Sequence, residues 1–210
     1  MPNVSRPNGF RPVMYANGAP WNGAFTTYLV PSSQGTDIFV GDAVSLGGTS
    51  GADGGYVYGQ SVEGMTTITH VATPGTTVAC GVVIGFSPIQ TNLERMYFEA
   101  SDGVARLAYV VDDPNVLFEV EEDADTTPIA QASLGLNVNY VAGTGNTTTG
   151  VSGSLLDSST VNTANTLHLK LVRMVPRPDN QLYASTGNSV AARFLVRWNV
   201  HQNGFSVAGL

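Results

Sequence analysis

Apolar and polar residues alternate in short segments along most of the chain, and this pattern predicts β-strands rather than helices. Residues 66–72 are β-branched and alternating, whereas residues 77–86 are almost continuously apolar, which is typical of a strand buried on both faces. In residues 166–174 the leucines face one way, and His168 and Lys170 face the other. Further strands are predicted at 37–46, 56–58, 95–99, 105–111, 115–121 and 191–200.

Eight or more short strands at close spacing predict an all-β fold, either a barrel or a sandwich of short antiparallel strands. At most one or two short helices are expected. The middle of the chain offers one candidate at 127–134, where Thr127 can cap a helix, Pro128 suits its first position and Gly135 can end it.

The first 35 residues differ from the rest because proline and glycine recur throughout them. Proline fixes φ and lacks a backbone donor, so repeated prolines argue against a helix or a central strand. A flexible linker would not carry so many large apolar groups. We therefore predict an extended arm at 1–35, followed by a β-rich domain at 36–210. The arm packs either on its own domain or on a neighbouring molecule, and both placements stay open. Its large apolar residues are Phe10, Met14, Tyr15, Trp21, Phe25 and Tyr28.

Composition excludes several classes of protein. Nine Lys and Arg against 16 Asp and Glu give a formal net charge of −7, which argues against nucleic-acid binding. No apolar run approaches 18 residues, so no membrane span is predicted, and the N-terminus lacks the apolar stretch of a secretion signal. An intracellular site of synthesis fits these features. Charged residues make up only 12% of the chain, about half the usual share, which suggests that partners cover much of its surface.

Searches for catalytic and cofactor motifs favour a non-enzymatic protein without cofactor or metal. No Gly-x-Ser-x-Gly motif is present, and Ser152 misses that spacing. The glycine-rich stretch at 143–150 lacks the lysine of a phosphate loop and is interpreted as a turn. The three histidines, His70, His168 and His201, are too far apart to suggest a shared metal.

Cys80 is the single cysteine, so an intrachain disulfide and a thiolate metal cluster are both excluded. It lies in the apolar stretch at 77–86 without a basic neighbour. We therefore predict that Cys80 is a small buried apolar residue rather than a reactive thiol.

The densest polar feature is an acidic stretch at 112–125. Oxygen ligands this close together suit Ca²⁺, but the spacing and the central glycine of an EF-hand are missing. A glycosidase pair needs two carboxylates across a cleft, and adjacent acids on a strand point to opposite faces. The favoured interpretation is a solvated turn or a partner-facing acidic patch. Its members are Asp112, Asp113, Glu119, Glu121, Glu122, Asp123 and Asp125.

Basic residues cluster late in the chain. Arg193 and Arg197 are four apart on a predicted strand, which places them on one face. They are expected to meet the acidic stretch of this chain or of a neighbour. Head-to-tail contact in an oligomer is the hypothesis that follows.

Several segments together resemble head-decoration, or cement, proteins of tailed bacteriophages. The resemblance covers most of the chain and consists of turn and strand patterns rather than catalytic motifs. The segments that carry it are NGFRP at 8–12, NGAPWNG at 17–23, IFVGDAV at 38–44, CGVVIGF at 80–86, VDDPN at 111–115, GTGNTTTGVSG at 143–153 and WNVHQ at 198–202.

The resemblance implies a small β-rich virion protein that binds the outside of the major capsid shell and stabilises it. It also implies a homo-oligomer, for which we favour a trimer over a dimer, and no catalytic residues. A glycan-binding or host-attachment module is the alternative, with a sugar surface formed by the loops at 143–166 together with Tyr56 and Tyr58. The residues predicted at a capsid or oligomer interface are Phe10, Tyr15, Trp21, Phe25, Tyr28, Glu121, Glu122, Asp123, Arg193 and Arg197.

Overall fold

A computed structural model describes residues 3–50, 55–57, 59–90, 92–123, 125, 127–182 and 191–204. Within these residues the chain is nearly all β, as predicted, and its helical elements are two 3₁₀ turns, at Ala100–Asp102 and Gln131–Ser133. None of the described helices is long and apolar enough to cross a membrane. The strands are β1 (Arg11–Tyr15), β2 (Thr26–Val30), β3 (Ala43–Ser50), β4 (Tyr56–Val57), β5 (Gln60–Ser61), β6 (Thr66–His70), β7 (Gly81–Phe86), β8 (Arg106–Val111), β9 (Val116–Glu121), β10 (Asn137–Val141), β11 (Leu155–Asn162), β12 (Leu169–Met174) and β13 (Arg193–Trp198).

The strands form two main layers. One is a six-stranded sheet of order β1-β9-β13-β12-β10-β11, in which all neighbours are antiparallel. The other is a closed five-stranded barrel of order β2-β6-β3-β7-β8. Its neighbours are antiparallel except β2 and β6, which pair in parallel at Leu29 and Thr67. The all-β prediction of short, mainly antiparallel strands is therefore confirmed.

Alternation along β2 and β8 explains how the barrel is filled and covered. Val30 and Val110 point inwards and pack with residues such as Ile68 and Phe98. Leu29 and Leu107 point outwards, where Val57 and Val62 of the small β4–β5 hairpin cover them.

The largest apolar cluster lies between the inner face of the six-stranded sheet and the barrel. The sheet contributes Phe118, Tyr140 and Trp198, and the barrel contributes residues such as Val82. Phe10 sits among these rings, with its centroid 5.4 Å from Trp198 in a stacked arrangement and 5.1 Å from Tyr140 in an edge-on arrangement. Aromatic pairs of these geometries add stability beyond the burial of their area.

The described part of the predicted arm packs on its own chain. Its β1 strand lies at the edge of the sheet beside β9, and its β2 strand is flanked by β6 and β8 in the barrel. The expectation that prolines would exclude a central strand was wrong for β2. Prolines stand at 20 and 31, so the intervening stretch keeps every N–H that a central strand needs.

Two other local predictions were wrong. Residues 95–99 do not form a strand, and their β-type pairing is limited to one bridge between Ile38 and Phe98. The helix predicted at 127–134 is reduced to the Gln131–Ser133 turn, which has no side-chain cap. In this segment Asp125 accepts the N–H of Thr127 and Glu122 accepts the N–H of Ile129.

Arg106 fixes the irregular segment that stands in place of the predicted 95–99 strand. Its side chain is buried, and its guanidinium donates to the carbonyl oxygens of Ser87 and Tyr97. The same group lies 5.1 Å from the centre of the Phe86 ring. The fork geometry of arginine suits such multiple carbonyl contacts, which lysine cannot reproduce.

Truncating Phe10 tests whether the start of the chain belongs to the core. We expect Phe10→Ala to lower the free energy of unfolding by about 3–5 kcal/mol, because it leaves a cavity between the sheet and the barrel. Phe25→Ala is the matched control, since Phe25 is 50% exposed, and it should cost about 1 kcal/mol or less. Chemical denaturation of both variants measures the difference. Equal losses would contradict the placement of Phe10.

Candidate interaction surfaces

The aromatic residues predicted at an interface divide by burial. Phe10 is 2% exposed and Tyr28 is 9% exposed, while Tyr15 and Trp21 pack half-buried against the core. Phe25 is 50% exposed. Of these five aromatic side chains, Phe25 therefore presents the largest exposed fraction to a partner.

Buried ion pairs hold two members of the acidic stretch at 112–125, Glu119 and Glu121. Glu119 and Glu121 are 5% and 3% exposed, so the interpretation as a solvated or partner-facing patch was wrong for them. The guanidinium of Arg193 lies 3.2 Å from the Glu119 carboxylate and 3.1 Å from that of Glu121. Arg177 adds a second contact to Glu119 at 2.8 Å. The sequence alone did not indicate that Arg177 pairs with Glu119.

The N-terminal segment is attached to the same cluster. The backbone N–H of Arg6 donates to both oxygens of the Glu121 carboxylate at 3.0 and 3.1 Å, and Arg193 donates to the carbonyl of Arg6 at 2.7 Å. The predicted contact between Arg193 and the acidic stretch is therefore formed within one chain. Arg197, on the same strand, is exposed and makes no ion pair among the described residues.

Glu122 and Asp123 serve the fold rather than the surface. Glu122 is 2% exposed and accepts the backbone N–H groups of Ile129 at 2.9 Å and Ala192 at 3.3 Å. Burial raises the pKa of the Glu122 carboxyl to about 7. Asp123 is partly buried and accepts the Ser158 hydroxyl at 2.8 Å.

The described residues contain no group of three or more His, Cys, Asp or Glu side chains placed to hold a metal ion.

Asp42 is another buried carboxylate, and it joins the barrel to the loop before β11. It accepts the hydroxyls of Ser152 at 2.5 Å and Ser154 at 3.3 Å, and its other oxygen lies 3.6 Å from His70 Nε2. Burial raises the pKa of this carboxyl. In a serine hydrolase the imidazole lies between serine and carboxylate, so that it can take the hydroxyl proton. In this chain the Asp42 carboxylate lies between Ser152 and His70, so the His70 imidazole is not placed to take the hydroxyl proton of Ser152.

An open cleft of about 530 Å³ lies beside Asp42 and His70, lined in part by the loop at 142–147. Internal contacts order this loop, because Asn146 Oδ1 accepts the N–H groups of Thr148 and Thr149. Its Gly145 lies against the Phe39 ring, in a space that a side chain would fill.

One other residue of the predicted sugar surface, Tyr56, lies on a different element. Tyr56 is 71% exposed on the β4–β5 hairpin, which packs against the outside of the barrel. Tyr58 lies outside the described residues.

The remaining histidines and the cysteine are buried. His168 is 2% exposed, and its pKa is lowered by burial. His201 is 3% exposed, and burial lowers its pKa to about 4. The thiol of Cys80 lies inside the barrel, where burial raises its pKa to about 12, so the prediction of a small buried apolar residue is confirmed.

Two aromatic rings, one exposed and one partly exposed, pack together on the outer wall of the barrel. The Phe25 ring lies just before β2, and its centroid is 4.9 Å from that of Tyr109 in β8. Gly85 stands opposite Tyr109 in the register of β7 and β8 and leaves the ring room. The β4–β5 hairpin covers the other end of this wall, but Phe25 stays half exposed. The sequence indicated the strand of Tyr109 but not which wall its ring would join.

Comparisons with known proteins identify no relative of this chain. No family model, no curated protein and no solved structure matches it.

Replacing Arg193 tests the buried ion pairs. We expect Arg193→Met to lower the free energy of unfolding by about 3 kcal/mol, because it strips the buried carboxylate of Glu121 of its cation. Arg197→Met, on the same strand and face, should stay within about 0.5 kcal/mol of the native protein. Urea denaturation at neutral pH gives both values. A similar loss in both variants would contradict the assignment.

Replacing Glu122 tests its raised pKa through the pH dependence of stability. The folded state holds a proton up to about pH 7, whereas an unfolded glutamate releases it near pH 4.3. Between these values the folded state binds more protons, so this group stabilises the fold increasingly as pH falls.

We expect the native protein to gain about 2–3 kcal/mol relative to Glu122→Gln when pH falls from 8 to 5. Denaturation curves across that range measure the gain. The exposed Glu63→Gln serves as the control. Parallel curves for the native protein and Glu122→Gln would contradict the assignment.

Proposed function

We propose that this chain is a bacteriophage capsid decoration protein that binds the outer surface of the major capsid shell and stabilises it without catalysis. Identity as a phage protein is supported by the sequence segments described above, which resemble head-decoration proteins of tailed phages. The proposed site of action is the virion surface.

The observation that carries the binding surface is the exposed Phe25 ring, packed against the partly exposed Tyr109 ring. Two large rings on one rigid barrel wall offer an apolar contact with little side-chain entropy to lose. Aromatic residues are enriched at the centres of protein interfaces and dominate their binding energy.

Repetition over the shell strengthens this contact. A capsid presents the same surface many times, so an oligomer of a modest binder engages several sites at once and gains avidity. Clamping neighbouring capsid subunits in this way would oppose their separation under internal pressure.

Co-sedimentation with mature heads that lack the protein tests the proposal. We expect binding that saturates at a simple ratio to capsid subunits, and heads that survive a higher temperature than undecorated ones. Phe25→Ala and Tyr109→Ala should each weaken binding about tenfold or more. Val104→Ala is the matched control, because Val104 is 43% exposed and lies before the opposite end of β8.

Two outcomes would overturn the proposal. Absence of saturable binding to heads would exclude the decoration function, and a saccharide-array signal would favour the glycan-binding alternative. Saturable binding that both aromatic variants leave unchanged would keep the function but reject this surface.

A further inference from the structure

Unpaired cations gather on the outer face of the six-stranded sheet. Lys170 in β12 lies directly opposite Arg197 in β13, and Arg173 follows on the same face of β12, opposite Leu195. Arg11 in β1 stands opposite Glu119, whose carboxylate is already bound by two other arginines. None of these four cations forms an ion pair within the described part of the chain.

This arrangement lowers the stability of the isolated chain. Like charges directly opposite each other on neighbouring strands are destabilising, and Lys170 and Arg197 form such a pair. The chain carries 16 acidic residues, yet none of those described is placed to neutralise the pair. A local conflict of this kind is expected at a surface that meets a partner.

Exposed apolar groups accompany the cations. Val172 in β12 is 38% exposed, and Val141 in β10 is 44% exposed. We call Arg11, Lys170, Val172, Arg173 and Arg197 the basic face. An interface that suits it combines carboxylates with apolar side chains.

The barrel carries a surface of that composition. Leu93 and Met96 are exposed apolar residues there, at 72% and 58%. Glu94 beside them is exposed, and Glu99 and Asp102 share the single cation of Arg95. We call residues 93–102 the acidic segment; its three carboxylates and one guanidinium leave it with a net charge of −2.

The two surfaces cannot meet within one chain. The barrel packs against the inner face of the sheet, and the basic face points the other way. A contact between them therefore joins two molecules, and it is heterologous because different patches meet. Repetition of such a contact closes a ring when the rotation allows and otherwise extends a chain.

We propose that the protein self-associates head to tail, with the basic face of one copy bound to the acidic segment of the next. This contact uses other residues than the Phe25–Tyr109 pair and forms without a capsid. It replaces the earlier hypothesis for Arg193 and Glu121, which bind each other within one chain.

Sedimentation velocity of the full chain at low and high salt provides the test. We expect an oligomer at about 50 mM salt that dissociates towards monomer at about 500 mM, because the Debye length shrinks several-fold. Arg197→Glu and Glu94→Arg should each weaken association about tenfold or more, and the double variant should recover most of it. Circular dichroism checks that each variant remains folded.

Glu63→Arg is the matched control, because Glu63 is an exposed acid outside the acidic segment. Three results would overturn the proposal. These are a monomer at low salt and high concentration, an oligomer that neither charge reversal weakens, and two disruptive single variants whose combination restores nothing. A monomer would remove the avidity that an oligomer adds to capsid binding, but the capsid function itself is read out separately by binding to heads.

Discussion

The close contact that seats Phe10 between the barrel and the sheet is the constraint on which the rest of the structure depends. The N–H of Phe10 donates to the carbonyl of Gly41 at 2.9 Å, and a side chain at Gly9 would collide with that carbonyl and with Ser152. Gly9 and Gly41 both have φ values in the left-handed region, which glycine adopts most easily. Two glycines thus allow three backbone segments to meet, and the ring of Phe10 enters the apolar layer between the two halves.

Buried carboxylates hold the chain segments that flank this contact. Asp42 links the barrel to Ser152 and Ser154, and Glu121 links the sheet to the backbone of Arg6. Because these carboxylates are buried, the surface carries fewer exposed charges than the composition alone suggests. The exposed surface is then distinguished by its aromatic pair, its basic face and its acidic segment, which are the surfaces that the two proposals use.

The sequence predicted the fold class well because alternation reports directly on strands with one buried face. It predicted the burial of Cys80 because that residue lies in the nearly continuous apolar stretch at 77–86. It could not predict that Glu119 and Glu121 would be buried, because their cations, Arg177 and Arg193, lie more than 50 residues later in the chain. Long-range pairing of this kind decides whether an acidic run is solvated or internal.

Other local signals also failed. Thr127 and Pro128 are suitable residues for starting a helix, yet the helical turn is confined to Gln131–Ser133. Recurring prolines suggested an arm, yet the gap between Pro20 and Pro31 was long enough for a barrel strand. The aromatic residues within 1–35 therefore differ in burial. Phe25 is exposed, whereas Phe10 and Tyr28 are buried.

Cryo-electron microscopy of heads saturated with the protein tests the central claim most directly. The account predicts ordered density for the chain on the outer shell, with the barrel wall that carries Phe25 and Tyr109 against the major capsid protein. Density that places this wall away from the shell, or heads without added density, would contradict it.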